Sequence, residues 1–210
     1  NDKEYLDKLI IKYWFLKADI KNENIYYSLE GYLYPDTYEF KKDATIEEIF
    51  ETMLDNTDKK LKKYETNILN NKYTIHELLT LASIVELESV GNDRNGVAGV
   101  FYNRLNSGMS LGSDVTTYYA AKVDMSQRDL YIEEINARNN YNTRSDYLAG
   151  KLPIGPICNP GIESIKAVLY PTSSNYYYFV ADKNGKTYFT YTYNEHIAKR
   201  DELIEAGLWY

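Results

Sequence analysis

An apolar run with helical spacing at residues 75–88 constrains the fold of this chain more than any other stretch. Thr74 and Glu77 stand three residues apart at its start, which is the spacing of a capping box and predicts that a helix begins there. The run ends at residues 81–89, where two carboxylates one residue apart follow Leu, Ile and Val. Residues 90–92, Val-Gly-Asn, supply a helix stop signal. The chain is therefore organised around one apolar helix with an acidic C-terminal end.

The two carboxylates take different positions around this helix. At about 100° per residue, Glu86 points near the centre of the apolar arc and Glu88 lies at its margin, close to Ile84 and Leu81. A carboxyl group at such a margin loses hydration but stays reachable, which raises its pKa and suits a general acid. Because the two side chains lie about 200° apart, they cannot together flank one sugar bond as a glycosidase pair does.

Each carboxylate also has a plainer interpretation. Most glutamates at helix margins are solvated surface residues, which would explain Glu88 without any chemistry. Glu86 is equally well explained as a buried carboxylate that is paired with backbone or with an arginine such as Arg104. Helical spacing alone does not choose between these interpretations and a catalytic site.

Patterns elsewhere predict an α+β fold, namely a mainly helical domain with a small antiparallel β-hairpin sheet. The dipeptide Asn184-Gly185 stands between two aromatic-rich runs, residues 176–181 and 186–191, and is a strong hairpin signal. Residues 124–160 are rich in Gly, Pro and Asn and predict a long irregular region, which is more often functional than idle. Apolar spacing and capping signals predict further helices at residues 4–16, 45–69, 93–106, 113–121, 162–169 and 195–206.

Composition excludes several classes of function. A net charge of −7 without a segregated basic patch argues against binding to the phosphate backbone of nucleic acid. One cysteine, Cys158, and two distant histidines, His76 and His196, predict neither a disulfide framework nor a metal site. We expect Cys158 to be a small buried residue and both histidines to lie at the surface. No run of about 18 apolar residues is present, so no membrane span is predicted within these residues.

Six sequence blocks occur in a fixed order between residue 29 and the C-terminal region. They read LEGYLYPDTY at 29–38, LASIVELE at 81–88, VFYNRL with GMSL at 100–111, YNT at 141–143, LPIGPI with NPG at 152–161 and YFVAD at 178–182. This series resembles the successive motifs of the YceG-like (MltG) endolytic murein transglycosylases. The order of all six blocks is far more specific than any one of them.

The resemblance implies a lytic transglycosylase with a lysozyme-like catalytic domain. Such an enzyme breaks the β-1,4 bond between N-acetylmuramic acid and N-acetylglucosamine inside peptidoglycan strands without water, leaves a 1,6-anhydro end, and needs neither a metal nor a cofactor. The family's catalytic acid, the second Glu of its Ile-Val-Glu-x-Glu block, corresponds to Glu88. One carboxyl group would protonate the leaving oxygen and then take the proton of the C6 hydroxyl. We therefore expect Glu88 to line an open groove near Asp114 or Asn142.

The resemblance also suggests weaker roles for other polar residues. Candidate glycan-binding residues are Glu30, Ser113, Asp114, Thr116, Tyr141, Asn142 and Thr143, and candidate supporting residues are Glu86, Asn103 and Arg104. The sequence departs from the family pattern where Gly112 replaces a common Gln, Val115 a common Pro, and Arg144 the Tyr of some members. In both polar loops a role as cap or turn former is as well supported as a ligand role. Glu30 is equally well explained by an ion pair within the fold.

The same resemblance predicts the surroundings of the chain. Residues 29–210 are expected to form the catalytic domain, and residues 1–28 to be the remnant of a preceding LysM-like domain or linker. The whole protein is expected to be a bacterial enzyme at the extracytoplasmic face of the cell membrane, held by an N-terminal anchor absent from this chain, which itself should be soluble. Expected partners are peptidoglycan glycan strands and cell-wall synthases (penicillin-binding proteins), beside which it would terminate or trim nascent strands.

Two other functions stay open at this point. A muramidase-type hydrolase would use water in place of the C6 hydroxyl and leave reducing ends. A non-catalytic wall-binding scaffold would keep the fold and bind glycan without cleaving it.

Overall fold

The computed structural model describes residues 2–89 and 93–209, so the stop signal predicted at residues 90–92 lies outside the described residues. The helices are α1 (Lys3–Lys12), α2 (Ile46–Leu61), α3 (Glu65–Leu69), α4 (Ile75–Glu88), α5 (Arg94–Asn106), α6 (Asp114–Ala121), α7 (Ile132–Asn136), α8 (Ile162–Leu169) and α9 (Tyr193–Glu205), and the strands are β1 (Tyr178–Ala181) and β2 (Thr187–Thr190). The predicted α+β class is confirmed.

Helix α4 lies at the centre of the core. Ten of its 14 residues are buried, so it presents apolar surface on nearly every side, and it packs chiefly against α8 and α5. Its predicted capping box is confirmed, because the Glu77 N–H donates to the Thr74 hydroxyl (3.2 Å) and the Thr74 N–H donates to the Glu77 carboxylate (2.8 Å). Only the last turn leaves the core, and it carries Glu86 and Glu88 to the surface.

His76, expected at the surface, is buried in the first turn of α4, with 7% of its surface exposed. Its Nε2 lies 2.7 Å from the Ile154 carbonyl, which can only accept, so Nε2 carries the proton and Nδ1 accepts from the Tyr32 hydroxyl at 2.7 Å. The surface prediction was wrong because both ring nitrogens form hydrogen bonds to distant parts of the chain. These bonds offset the cost of burying the polar imidazole.

The hairpin prediction is confirmed, with strands shorter than the aromatic runs. Phe179 pairs with Phe189 across the antiparallel ladder. Gly185 takes a left-handed φ of 78° at the turn, and the Asp182 carboxylate accepts the N–H of Asn184 at 2.9 Å. Helix α9 packs on both strands, and α5 also contacts β1.

Four predictions of helix position differ from the structure. The helix expected at residues 4–16 ends four residues early, at Lys12. The helix expected at residues 45–69 stops at Leu61 and resumes as α3 after a 3₁₀ turn. Helix α9 begins two residues early, because a capping box forms between Thr192 and Glu195. The region expected to be wholly irregular contains the short helix α7.

The N-terminal segment packs into the same core as the rest of the chain. Leu6, Leu9 and Phe15 are at most 4% exposed and belong to one apolar cluster with α4 and α8. Whether residues 1–28 derive from a preceding domain stays a prediction. Over residues 2–89 and 93–209, none of the helices combines the length and the apolar character needed to cross a bilayer.

Candidate active site

A cleft of about 340 Å³ opens at the C-terminal end of α4. We divide its lining by chemistry. The polar side comprises Glu88, Arg104, Ser113, Asp114 and Arg144. The aromatic side comprises residues of β1, α9 and the segment after α9, namely Phe179, Val180, Ala181, His196 and Trp209. Glu88 and Asp114 thus share one cleft, while Asn142 does not line it.

Glu88 is held by the loop that precedes α6. The Ser113 hydroxyl donates to Glu88 Oε1 over 2.6 Å, and Ser113 makes no side-chain cap for its own helix although it occupies the N-cap position. Loss of hydration raises the pKa of the Glu88 carboxyl, while the hydroxyl of Ser113 lowers it; the charge of Asp114 raises this pKa, and Arg104 and the N–H of Val115 lower it. The balance lies above the ordinary value, so the site favours a protonated carboxyl group.

A buried hydroxyl network fixes the Ser113 loop from below. The Thr143 hydroxyl accepts the Ser113 N–H at 3.0 Å and lies 2.7 Å from the Thr116 hydroxyl, which also lies 2.7 Å from the Ser113 carbonyl. Thr116 and Thr143 are fully buried. Both side chains therefore lie beneath the Ser113 loop as supports, and neither lines the cleft.

Asn142 is likewise a buried turn former. Its amide oxygen accepts from the Thr117 hydroxyl at 2.8 Å, and its amide nitrogen donates to the carbonyls of Ile135 (2.9 Å) and Ala137 (2.8 Å). These contacts use both ends of the amide and tie α6 to α7. Of the two roles left open for this residue, the geometry is that of a structural one.

Tyr141 and Glu30 lie away from Glu88. Tyr141 is fully buried, with its ring 4.7 Å from that of Tyr26 and 4.8 Å from that of Tyr119. Glu30 accepts a hydrogen bond from the Tyr119 hydroxyl and lines a separate cavity of about 710 Å³ beside Asn159. Burial raises the pKa of Glu30, and the Tyr119 hydroxyl lowers it. The structure does not bring these candidate glycan-binding residues to the cleft.

Glu86 is bound to backbone and to an arginine, but not to the arginine expected. Its Oε2 accepts the Gly161 N–H at 3.0 Å, and its Oε1 lies 3.9 Å from Arg94 Nη2. The side chain is 30% exposed, so it sits less deeply than the apolar arc suggested, because α4 leaves the core within its last turn. Gly161 opens α8, and Glu86 therefore joins the ends of two core helices.

Arg104 and Asn103 tie α5 to the segment that leads into β1. The Arg104 guanidinium donates from Nε to the Tyr177 carbonyl (2.6 Å) and from Nη1 to the Leu111 carbonyl. The Asn103 amide donates to the Tyr176 carbonyl at 2.8 Å. Arg104 thus links the segment before β1 to the loop before α6, and it adds a positive charge close to Glu88.

Two of the three positions that depart from the family pattern, Gly112 and Arg144, have local explanations. Gly112 has a left-handed φ of 61°, which a side chain such as Gln would strain. Arg144 forms an ion pair with Asp114, and the two side chains are 40% and 61% exposed. Surface pairs of this kind contribute little to stability, so this one bears on the charge of the cleft more than on folding.

Two aromatic residues of the cleft were missed or misplaced by the sequence patterns. His196, expected at the surface, is half-buried in the cleft with its ring 5.7 Å from that of Tyr178. Burial lowers its pKa, as do the charges of Arg104 and Arg200, so the imidazole is neutral near neutral pH. Trp209 carries no motif and is brought to the cleft only by the way the chain returns after α9.

The remaining candidates carry no further chemistry. Cys158 is half-buried, its thiol donates to the Ser83 carbonyl (3.4 Å), and burial raises its pKa to about 12, which leaves it inert. Within the described ranges, His, Cys, Asp and Glu side chains form no group of three or more that could hold a metal ion.

The chain belongs to the YceG-like family, whose model matches residues 3–202. The resemblance in the six sequence blocks is thereby confirmed. A crystal structure of a YceG-like protein from Listeria monocytogenes matches this chain with a TM-score of 0.86 and 39% sequence identity. The match covers 94% of this chain and 64% of the Listeria chain.

Curated relatives with the same name occur in two genera. The endolytic murein transglycosylase of Bacillus subtilis is 39% identical over 190 residues, which are 90% of this chain and 51% of the relative. That of Streptococcus pneumoniae serotype 2 is 36% identical over 215 aligned positions, which cover 99% of this chain and 38% of the relative. The chain thus spans about half or less of the length of these relatives.

Proposed function

We propose that this chain is the catalytic part of an endolytic peptidoglycan lytic transglycosylase in which Glu88 is the only catalytic acid and base. One observation carries the proposal: a half-buried carboxyl group with a raised pKa, held by the Ser113 hydroxyl, lies in an open cleft. Family membership and the names of the relatives support the same substrate class.

In the first step Glu88 acts as an acid. Its proton passes to the oxygen that links C1 of N-acetylmuramic acid to C4 of N-acetylglucosamine, the C1–O bond breaks, and the electron pair leaves with the oxygen. The raised pKa of Glu88 favours this step, because it keeps the carboxyl group protonated at a pH where an exposed glutamate would be ionised.

In the second step the same group acts as a base. The C6 hydroxyl of the muramic residue attacks C1, and the Glu88 carboxylate accepts the hydroxyl proton, which restores the acid and closes the 1,6-anhydro ring without water. The Ser113 hydroxyl and the Val115 N–H stabilise the carboxylate between the two steps. These two contacts lower the pKa of Glu88, and they therefore stabilise it in the half of the cycle in which it is charged.

The setting of the reaction is part of the proposal. We infer that the substrate lies within glycan strands of the bacterial wall and that the whole protein acts at the extracytoplasmic face of the membrane, held there by a preceding anchor. Termination of nascent strands beside penicillin-binding proteins follows from the same resemblance. The murein named in the relatives' descriptions supports the substrate.

One observation favours a second candidate, a muramidase-type hydrolase. Asp114 lies in the same cleft as Glu88, and a retaining or inverting hydrolase uses two carboxylates. The Asp114 carboxylate is already paired with Arg144, which makes it less available as a second catalytic group and weakens this candidate.

Digestion of purified peptidoglycan by three variants tests the proposal. Glu88→Gln should abolish cleavage, Glu86→Gln should keep it, and Asp114→Asn should still release 1,6-anhydro ends. Mass spectrometry of the products separates anhydro ends from reducing ends, which are heavier by one water. Reducing ends from the unmodified protein, lost on Asp114→Asn, would establish the hydrolase instead.

A further inference from the structure

The aromatic side of the Glu88 cleft has no role in the chemistry described above. We propose that Trp209 forms a sugar-binding subsite there, on which one N-acetylated pyranose ring of the strand packs its apolar face. This inference rests on the proposed function for the identity of the strand. The subsite itself follows from how the segment after α9 is held and from the surroundings of the indole.

The backbone around Trp209 is fixed by the β-hairpin. After α9, Gly207 takes a left-handed φ of 67°, and the Leu208 N–H returns to the Leu203 carbonyl at 2.8 Å. The Leu208 carbonyl then accepts the N–H of Lys183 at 2.9 Å. Because Lys183 follows β1 closely, this bond ties the residue next to Trp209 to the strand that forms the same side of the cleft.

The two tryptophans of the chain differ in what their indoles do. Trp14 belongs to the core, with its N–H donating to Asp58 at 2.6 Å and its ring edge-on to Phe15 at 5.8 Å. Trp209 lines the cleft and is half-exposed. With respect to the residues that the structure describes, its indole N–H makes no hydrogen bond and its ring has no aromatic partner. The Trp209 ring is therefore available to a ligand in a way that the Trp14 ring is not.

The lining of the cleft suits a sugar ring, because both combine polar and apolar surface. A pyranose presents hydroxyl and acetamido groups around its rim and C–H groups on its faces. The Glu88 side of the cleft offers the hydroxyl-bound carboxyl group and the Asp114 and Arg144 charges, whereas the Trp209 side offers aromatic and aliphatic surface. Aromatic rings bind flat apolar faces at small cost in conformational entropy, so Trp209 would hold the sugar by one face while polar groups of the same cleft bind its rim.

Intrinsic fluorescence tests this subsite without turnover. In a Glu88→Gln background, Trp14→Phe leaves Trp209 as the only indole, and Trp209→Phe leaves only Trp14. Titration with soluble, uncross-linked glycan strands should change the emission of the first protein in a saturable way and leave that of the second unchanged. Strand binding without any change in Trp209 emission would overturn the inference.

Kinetics of variants that retain Glu88 provide the second readout. Trp209→Ala should raise KM for the strands roughly tenfold, with little change in kcat, because it removes one stacking contact that is equally strong before and during the reaction. Trp209→Tyr should recover most of the loss. Tyr191→Ala, at an exposed aromatic residue outside the cleft, is the matched control and should leave KM unchanged.

The outcomes separate the subsite from the proposed chemistry. An unchanged KM for Trp209→Ala, with 1,6-anhydro ends still formed, would overturn the subsite and leave the transglycosylase intact. A saturable Trp209 response in the Glu88→Gln background, together with no anhydro ends from the protein that retains Glu88, would support the subsite and remove the proposed function.

Discussion

Removal of the Ser113 hydroxyl tests how Glu88 is kept ready for both steps. Ser113→Ala deletes a hydrogen bond of 2.6 Å to a carboxyl group, and bonds to charged groups contribute about 1.5–3 kcal/mol. Since about 1.4 kcal/mol corresponds to a factor of ten, kcat/KM should fall roughly tenfold to hundredfold. The hydroxyl also lowers the pKa of Glu88, so its loss should move the high-pH limb of kcat/KM toward higher pH.

The assay is the rate at which 1,6-anhydro ends form from soluble strands, measured over the pH range in which the protein stays folded. Ser83→Ala is the matched control, because Ser83 is a buried serine of α4, the helix that carries Glu88, and its hydroxyl donates to the Thr80 carbonyl at 2.7 Å, outside the cleft. It should lower Tm and leave the pH limb in place. An unchanged rate together with an unchanged pH limb in Ser113→Ala would refute the role given to the hydroxyl.

Three further variants test the surroundings of the site. Glu88→Gln should raise Tm, and the gain should grow as the pH rises above the ordinary carboxyl value of 4.5, because a raised folded-state pKa means that stability is lost as the pH rises through it; calorimetry at several pH values checks this. Thr143→Val leaves the buried Ser113 N–H without its acceptor and should cost about 1–3 kcal/mol in urea unfolding; unchanged stability would contradict the network. Glu86→Gln keeps an oxygen for the Gly161 N–H, so strand cleavage should stay close to that of the unmodified protein, and a loss as large as that of Glu88→Gln would move the chemistry to Glu86.

The parts of the fold that the sequence predicted well are those with local physical causes. The Thr74 capping box and the Asn184-Gly185 turn depend on residues three apart or fewer, and both are present in the structure. Helical periodicity likewise placed Glu88 at the margin of α4, where its position needs only the geometry of one helix.

The parts that the sequence did not decide or predicted wrongly depend on partners distant in sequence. For Asn142 and Thr143 a ligand role and a turn-forming role stayed open, because a polar residue that is buried and satisfied by its own chain has the same sequence signature as one that binds substrate. His76 seemed exposed until Tyr32 and Ile154 supplied partners for both of its nitrogens. The sequence patterns did not predict Trp209 in the cleft, because the segment after α9 is tied to the hairpin by a hydrogen bond between Lys183 and Leu208, which are distant in sequence.

The most direct test of single-carboxylate transglycosylation is the source of the oxygen at the new end. Cleavage of glycan strands by the unmodified protein in ¹⁸O-labelled water should give 1,6-anhydro ends that contain no label, because the C6 hydroxyl of the substrate closes the ring. Glu88→Gln should give no new ends under the same conditions. Labelled reducing ends as the main product would show that water is the nucleophile and would contradict the proposed mechanism.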